Sequence, residues 1–178
     1  MGYRIPTKQL TAMIALAALG AVVRMGIARF GLAIAELHGI LAKIGLAETL
    51  AVACGFAFGP LQGFVTGALI IVVSDLYMMP GPWTPSIAAI IGLLGAIGGA
   101  LRRLCGKPSP ISMAVMAISL TLASELLQNV WFALFFGLPI WVTLVTGIKS
   151  LVTALINNVV LFPTVGLKVI RILQERVG

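Results

Sequence analysis

From Ile111 to Phe135 the chain carries a single charged side chain, Glu125. A helix over that stretch is about 37 Å long at 1.5 Å per residue, enough to cross the roughly 30 Å hydrocarbon core of a bilayer. Five further apolar stretches accompany it: Gln9–Gly26, Ala42–Phe58, Leu61–Met79, Ser86–Leu101 and Ile140–Val165. The second and fourth of these stretches are short, as in tilted or partly interfacial helices. Charged residues make up 10% of the 178-residue chain and hydrophobic residues 60%. A soluble domain carries about 25% charged residues, so a water-covered surface cannot be built here and a soluble globular enzyme is excluded. Disorder is excluded because so much apolar surface cannot stay solvated. The expectation is an all-α polytopic membrane protein: one membrane domain over 1–178 with six transmembrane helices.

The breaks between segments are clear. Gly59-Pro60 leaves almost no loop between the second and third segments, and Met79-Pro80-Gly81-Pro82-Trp83-Thr84-Pro85 cannot be helical throughout. Ile27 to Lys43 reads as the longest connection. Twelve Lys and Arg against five Asp and Glu give a net charge of +7. In this setting the excess marks cytoplasmic loops rather than nucleic-acid binding. With Arg4 and Lys8 inside, six spans also put Arg102, Arg103, Lys107, Lys168, Arg171 and Arg176 inside, so both termini are expected in the cytoplasm. No cleavable leader is expected, because the short basic start runs directly into an apolar segment.

Polar side chains within apolar helices are costly and therefore informative. Glu125, Gln128 and Asn129 fall at i, i+3 and i+4, on one helical face. Lys149, Thr153 and Asn157 recur at four-residue steps in the sixth segment, with Asn158 alongside. Glu125 and Lys149 both lie roughly 13 to 15 Å below the outer ends of adjacent antiparallel helices. They form either a structural ion pair or the lining of a polar pocket that opens outward. Trp83 and Trp131 are aromatic-belt residues or ligand contacts, and Asp75 caps the third segment or touches ligand. Glu48 must be paired or interfacial. His38 has no companion ligand, so no metal site is expected, and Cys54 and Cys105 read as structural. No nucleophile–base pair, metal-protease motif or phosphate-binding loop is present, so neither enzymatic activity nor a cofactor is expected. Ala17 and Ala21, four apart, allow close helix approach, either inside the protein or against another one.

Several of these features together resemble the substrate-specific S component of an energy-coupling factor (ECF) transporter. They are Phe58-Gly59-Pro60-Leu61-Gln62-Gly63-Phe64 through Ser74-Asp75-Leu76, the Gly81-Pro82-Trp83-Thr84-Pro85 turn and the small-residue stretch Gly92 to Arg103. Ala17-x-x-x-Ala21, Asn129 and Asn157-Asn158 complete the likeness. The resemblance implies a membrane subunit of a prokaryotic cell that captures a vitamin or related micronutrient at the outer face. It implies delivery inward with a transmembrane coupling protein and two ABC-type ATPases. Trp83, Glu125, Gln128, Asn129, Trp131, Lys149 and Asn157 would then bind substrate, and Ala17 and Ala21 would dock the coupling protein. The connection bearing Arg29, Glu36 and His38 would gate the pocket. The competing reading is a small oligomeric channel or a proton-coupled carrier with Glu125 as the coupling carboxylate. A membrane scaffold subunit is a third.

Overall fold

The computed structural model describes residues 5–33 and 44–177, the side chains of residues 30–33 and 103–105 excepted. Among the described residues every regular element is helical. The helices are α1 (Thr7–Ala33), α2 (Leu46–Phe58), α3 (Pro60–Met78), α4 (Trp83–Cys105), α5 (Pro110–Phe136) and α6 (Ile140–Leu161). A π-helical turn, Phe162–Gly166, then leads into α7 (Leu167–Arg176). Pro163 sits in that wider turn, where its missing N–H and its ring are accommodated without stopping the helix.

Among the described residues five helical stretches are long and apolar enough to cross a membrane, the last running unbroken from Ile140 to Arg176. The sequence led us to expect six spans. The element that differs is α2, whose 13 residues reach only about 20 Å. It is also the most enclosed helix, buried continuously from Thr49 to Ala57. Helices α1, α3 and α4, the end of α6 and α7 all pack on it. A helix apolar on every side and sheltered from lipid can stop within the bilayer, because its neighbours rather than its length satisfy it.

The tightest contact joins α2, α3 and α4 through glycine. A Cβ added to Gly63 would lie 2.3 Å from the Gly95 carbonyl oxygen and 2.6 Å from the Gly55 Cα. One added to Gly55 would lie 2.0 Å from that same Gly95 oxygen. Backbone therefore rests on backbone at one junction of three helices, a packing mode well suited to membrane bundles. Gly59 (φ 129°) makes the turn from α2 into α3, and Pro60 opens α3 where its lack of an N–H costs nothing.

The register follows from these contacts. Gly20 of α1 faces Ile70 of α3, Arg24 reaches Ser74 and Arg29 reaches Tyr77, while Gly63 faces Gly95 and Gly67 faces Ile91. Hence α1 and α3 run parallel, and α2 and α4 run against them. The starts of α1, α3 and α5 define a proximal end. Lys8, Arg102, Lys107, Lys168, Arg171 and Arg176 all lie toward it. Arg102 does more than mark topology: its Nη1 donates to the Ala57 carbonyl at 2.7 Å, satisfying a terminal acceptor of α2 where the helix dipole is negative. The ends of α1, α3 and α5 define the distal end. Outward faces carry large apolar side chains such as Ile14 on α1, Leu76 on α3, Val115 on α5 and Ile156 on α6. Faces this apolar require lipid or protein against them.

Two expectations are corrected by this packing. Ala17 is 5% exposed and Ala21 fully buried, against α2 and α3, so this small-residue step is internal packing and not a free docking surface. The stretch from Ile27 to Ala33 is not a connection but the last turns of α1.

The glycine junction gives a direct test. Gly95→Ala places a methyl 2.3 Å from the Gly63 carbonyl oxygen, and overpacking of this kind costs about 1–3 kcal/mol or more. Gly26→Ala adds a methyl to an α1 position with nothing within 4 Å, where relief of the glycine penalty stabilises by about 0.5–1 kcal/mol. Thermal unfolding in detergent should therefore move down for the first variant and up for the second.

Candidate functional site

At the distal end the bundle is hollow. A cavity of about 340 Å³ lies above α2, with Gly45 to Glu48 as its floor. Its walls are Arg24, Ile27 and Ala28 of α1, Ile71 and Met78 of α3, Ile87 and Ile91 of α4, Gln128 of α5 and Ala154 of α6. The volume lies at the small end of the range for organic-ligand sites, and a mostly apolar wall with a few fixed polar groups is their usual composition. The polar side chains among the described lining residues are Arg24, Glu48 and Gln128.

Arg24 is held from behind. Its Nη1 donates to Ser74 Oγ and to Asp75 Oδ1. Asp75 is 3% exposed, and its second oxygen accepts from Thr84 Oγ1 at 2.7 Å. Thr84 Oγ1 in turn accepts from the Gly81 backbone N–H at 3.2 Å, which fastens the turn before α4 to the same network. A charged pair in an apolar bundle persists only when further hydrogen bonds complete it, and Ser74 and Thr84 supply them. Asp75 is thus neither a loop residue nor a helix cap, but a buried acceptor inside α3 that joins α1, α3 and α4.

Glu48 is fixed on the floor. Asn158 Nδ2 donates to its Oε2 at 2.7 Å and to Thr121 Oγ1 at 2.8 Å. Asn158 is fully buried, and its Oδ1 lacks a partner among the described residues. A Cβ at Gly45 would lie 1.8 Å from that oxygen and 2.3 Å from Glu48 Oε2, so only glycine fits between them. One asparagine of α6 therefore ties the first turn of α2 to α5.

The expected ligand residues are dispersed. Gln128 lines the cavity. Glu125 is buried and accepts from Ser150 Oγ at 2.9 Å, while Lys149, about 100° further round α6, is exposed. The ion pair found among the described residues is Arg24–Asp75, not Glu125–Lys149. Asn129 Nδ2 donates to the Glu125 carbonyl at 2.8 Å, and its amide fills the space beside Gly147 at the α5–α6 contact. Trp131 stacks on Phe135 with centroids 4.9 Å apart, near the α5 tip and off the cavity. Trp83 opens α4, its ring folded over Gly81. Asn157 is half-buried beside the fully buried Asn158. Arg29 sits on α1, hydrogen-bonded to the Tyr77 hydroxyl with its guanidinium 4.9 Å from the ring centroid. Glu36 and His38 lie outside the described residues.

The sequence reading passed over Arg24 and left Glu48 unassigned. The signal for Arg24 was present: it and Asp75 are opposite charges near the distal ends of two apolar segments, the same pattern that drew attention to Glu125 and Lys149. What the sequence does not carry is the parallel register of α1 and α3 that joins them. The described residues hold no cluster of His, Cys, Asp and Glu able to bind a metal. No family model, no curated protein and no solved structure matches the chain.

The floor is tested by a double-mutant cycle. Asn158→Ala removes the hydrogen bonds to Glu48 and Thr121, each worth about 0.5–1.5 kcal/mol. Combined with Glu48→Gln it should cost less than the sum of the single changes, by at least about 1 kcal/mol of coupling. Additive melting shifts would mean that the two side chains do not depend on each other.

Proposed function

We propose that the chain is the membrane-embedded substrate-binding subunit of an ECF-type uptake transporter. It captures a compact organic micronutrient at the outer face of a prokaryotic cell membrane and delivers it inward with a transmembrane coupling protein and two ATPases. The observation that carries this reading is the distal cavity: a chamber whose described lining is mostly apolar, with Arg24 and Glu48 held by hydrogen bonds and Gln128 beside them, closed below by a short central helix. A ligand there has a floor beneath it, the arrangement of a capture site rather than an open pore. The resemblance of the Phe58–Leu76 stretch and the Pro80–Pro85 turn to S components supports the same reading. In this reading α2 counts as the sixth crossing element, the basic proximal end faces the cytoplasm, and the distal end faces outward.

The chain makes no ATP-binding motif, so transport in this reading needs partners. Affinity purification of the tagged chain from its native cells should bring down a membrane protein and two ABC-type ATPases. Uptake of the co-purified small molecule into vesicles should then require ATP. Ion-gradient-driven uptake by the chain alone in proteoliposomes would replace this reading with that of a self-sufficient carrier.

Topology is tested separately. Single cysteines introduced at Met79 and Gly137 should react with an impermeant maleimide added from outside, and one at Lys168 should not. Outside labelling at 168 would mean an odd number of crossings.

A further inference from the structure

Independently of the capture reading, we propose that the cavity at the proximal end, beneath the last turn of α2, binds the phosphate of an anionic phospholipid. Its volume is about 380 Å³, and its described lining is Ala57 of α2, Arg102 of α4, Gly106, Lys107 and Pro108 of the α4–α5 connection, and Gln174 of α7. Arg102 is fixed there, because its Nη1 donates at 2.7 Å to the carbonyl of Ala57, which belongs to the same wall. Lys107 is exposed and makes no ion pair among the described residues. Its ammonium brings three donors on a flexible stem, a common partner for phosphate. Arg102 also borders a second cavity, of about 640 Å³, whose walls include Phe58, Pro60, Leu61 and Gly99, with Gln62 as the other polar residue. One fixed cation is thus shared by a basic chamber and a chamber walled chiefly by apolar residues. An anionic head and the first methylenes of its chain need that pairing.

The charge balance at this end does not depend on the side chains left undescribed. Lys8, Arg102, Lys107, Lys168, Arg171 and Arg176 lie toward it, with Glu175 against them. Residues 1–4, 103–105 and 178 include Arg4 and Arg103 and no acidic side chain, so their side chains only add to the excess. Glu48, Asp75 and Glu125 stand at or above the floor of the distal cavity. Glu36 follows Ala33 by three residues, at most about 11 Å of chain, whereas the 27 residues of α1 carry Ala33 about 40 Å from the proximal end. The starts of α1, α3 and α5 and the ends of α2, α4 and α7 meet here, so their dipoles offset one another. Large exposed apolar side chains adjoin the cations: Ile111 follows Lys107 by four residues, Ile172 follows Arg171, and Leu61 shares the second cavity with Arg102. The basic chamber therefore lies where lipid-facing surface gives way to charge, the depth at which basic pockets between helices meet lipid headgroups. A soluble phosphate engages the cations and leaves the apolar wall in water; a phospholipid covers both.

Native mass spectrometry of the full chain in detergent, titrated with phosphatidylglycerol, phosphatidylcholine or glycerol phosphate, tests the assignment. Phosphatidylglycerol should fill one saturable site and bind at least about tenfold more tightly than either of the others. Lys107→Gln should weaken it by at least about tenfold, the worth of a hydrogen bond to a charged group, with an unchanged melting temperature in the absence of lipid. Lys168→Gln removes an equal charge from the same end but outside the cavity. It should weaken binding by no more than about twofold, because salt screens an exposed charge at that distance. Equal losses in the two variants, or equal binding of phosphatidylcholine, overturn the proposal. Glycerol phosphate bound as tightly as phosphatidylglycerol overturns the lipid assignment. A poly-glutamate peptide that binds through Lys107 where phosphatidylglycerol does not would give the surface to an acidic protein and equally overturn it.

Discussion

The backbone contact of Gly55, Gly63 and Gly95 sets the architecture. At this junction three helices approach until no side chain, not even a methyl, separates them. In a bilayer the lipid tails are as apolar as leucine, so burial of apolar area gives little reason for helices to associate. Close packing supplies the attraction instead, and glycine is what permits it. Once α3 and α4 are drawn onto α2, the short helix is held well inside the bundle. Its first turn then becomes a floor, because α1, α5 and α6 continue past it toward the distal end.

Above that junction, polar clamps replace glycine. Arg24 with Asp75 joins α1 to α3, and Thr84 extends the link to α4. Asn158 joins α6 to α2 through Glu48 and to α5 through Thr121. Each is costly to bury and more costly to break, since removing one partner strands the other in a medium with little else to bond it. Their energetic role is therefore chiefly positional. They fix which faces of α1, α5 and α6 look into the cavity, which Arg24 and Gln128 help to line.

Much of the helix pattern was legible in the sequence because hydropathy and proline–glycine punctuation are local signals. The starts of α3 at Pro60 and α6 at Ile140, and the end of α5 one residue from the expected Phe135, come straight from them. The α1 boundary was not legible: Arg29 made its last turns look like a loop, whereas the Tyr77 hydroxyl takes up that charge. The cavity was legible only in part. Shared helical face correctly groups Glu125, Gln128 and Asn129, yet a face spans neighbours on both sides, and Gln128 turns to the cavity while Asn129 turns to Gly147. Equal depth on adjacent helices suggested Glu125 with Lys149. Depth does not fix rotation about the helix axis, and Ser150 rather than Lys149 meets the carboxylate.

The two kinds of contact divide the molecule mechanically. Where backbone meets backbone in α2, α3 and α4, nothing can rearrange by changing a rotamer, so that block moves as a unit or not at all. The walls formed by α1, α5 and α6 are tied to it by side chains, which have alternative rotamers and alternative partners. The floor tie through Asn158 lies on the other wall and is reached only through Glu48. A chain of 178 residues thus combines a frame held by backbone contact with a chamber whose walls are held by side chains.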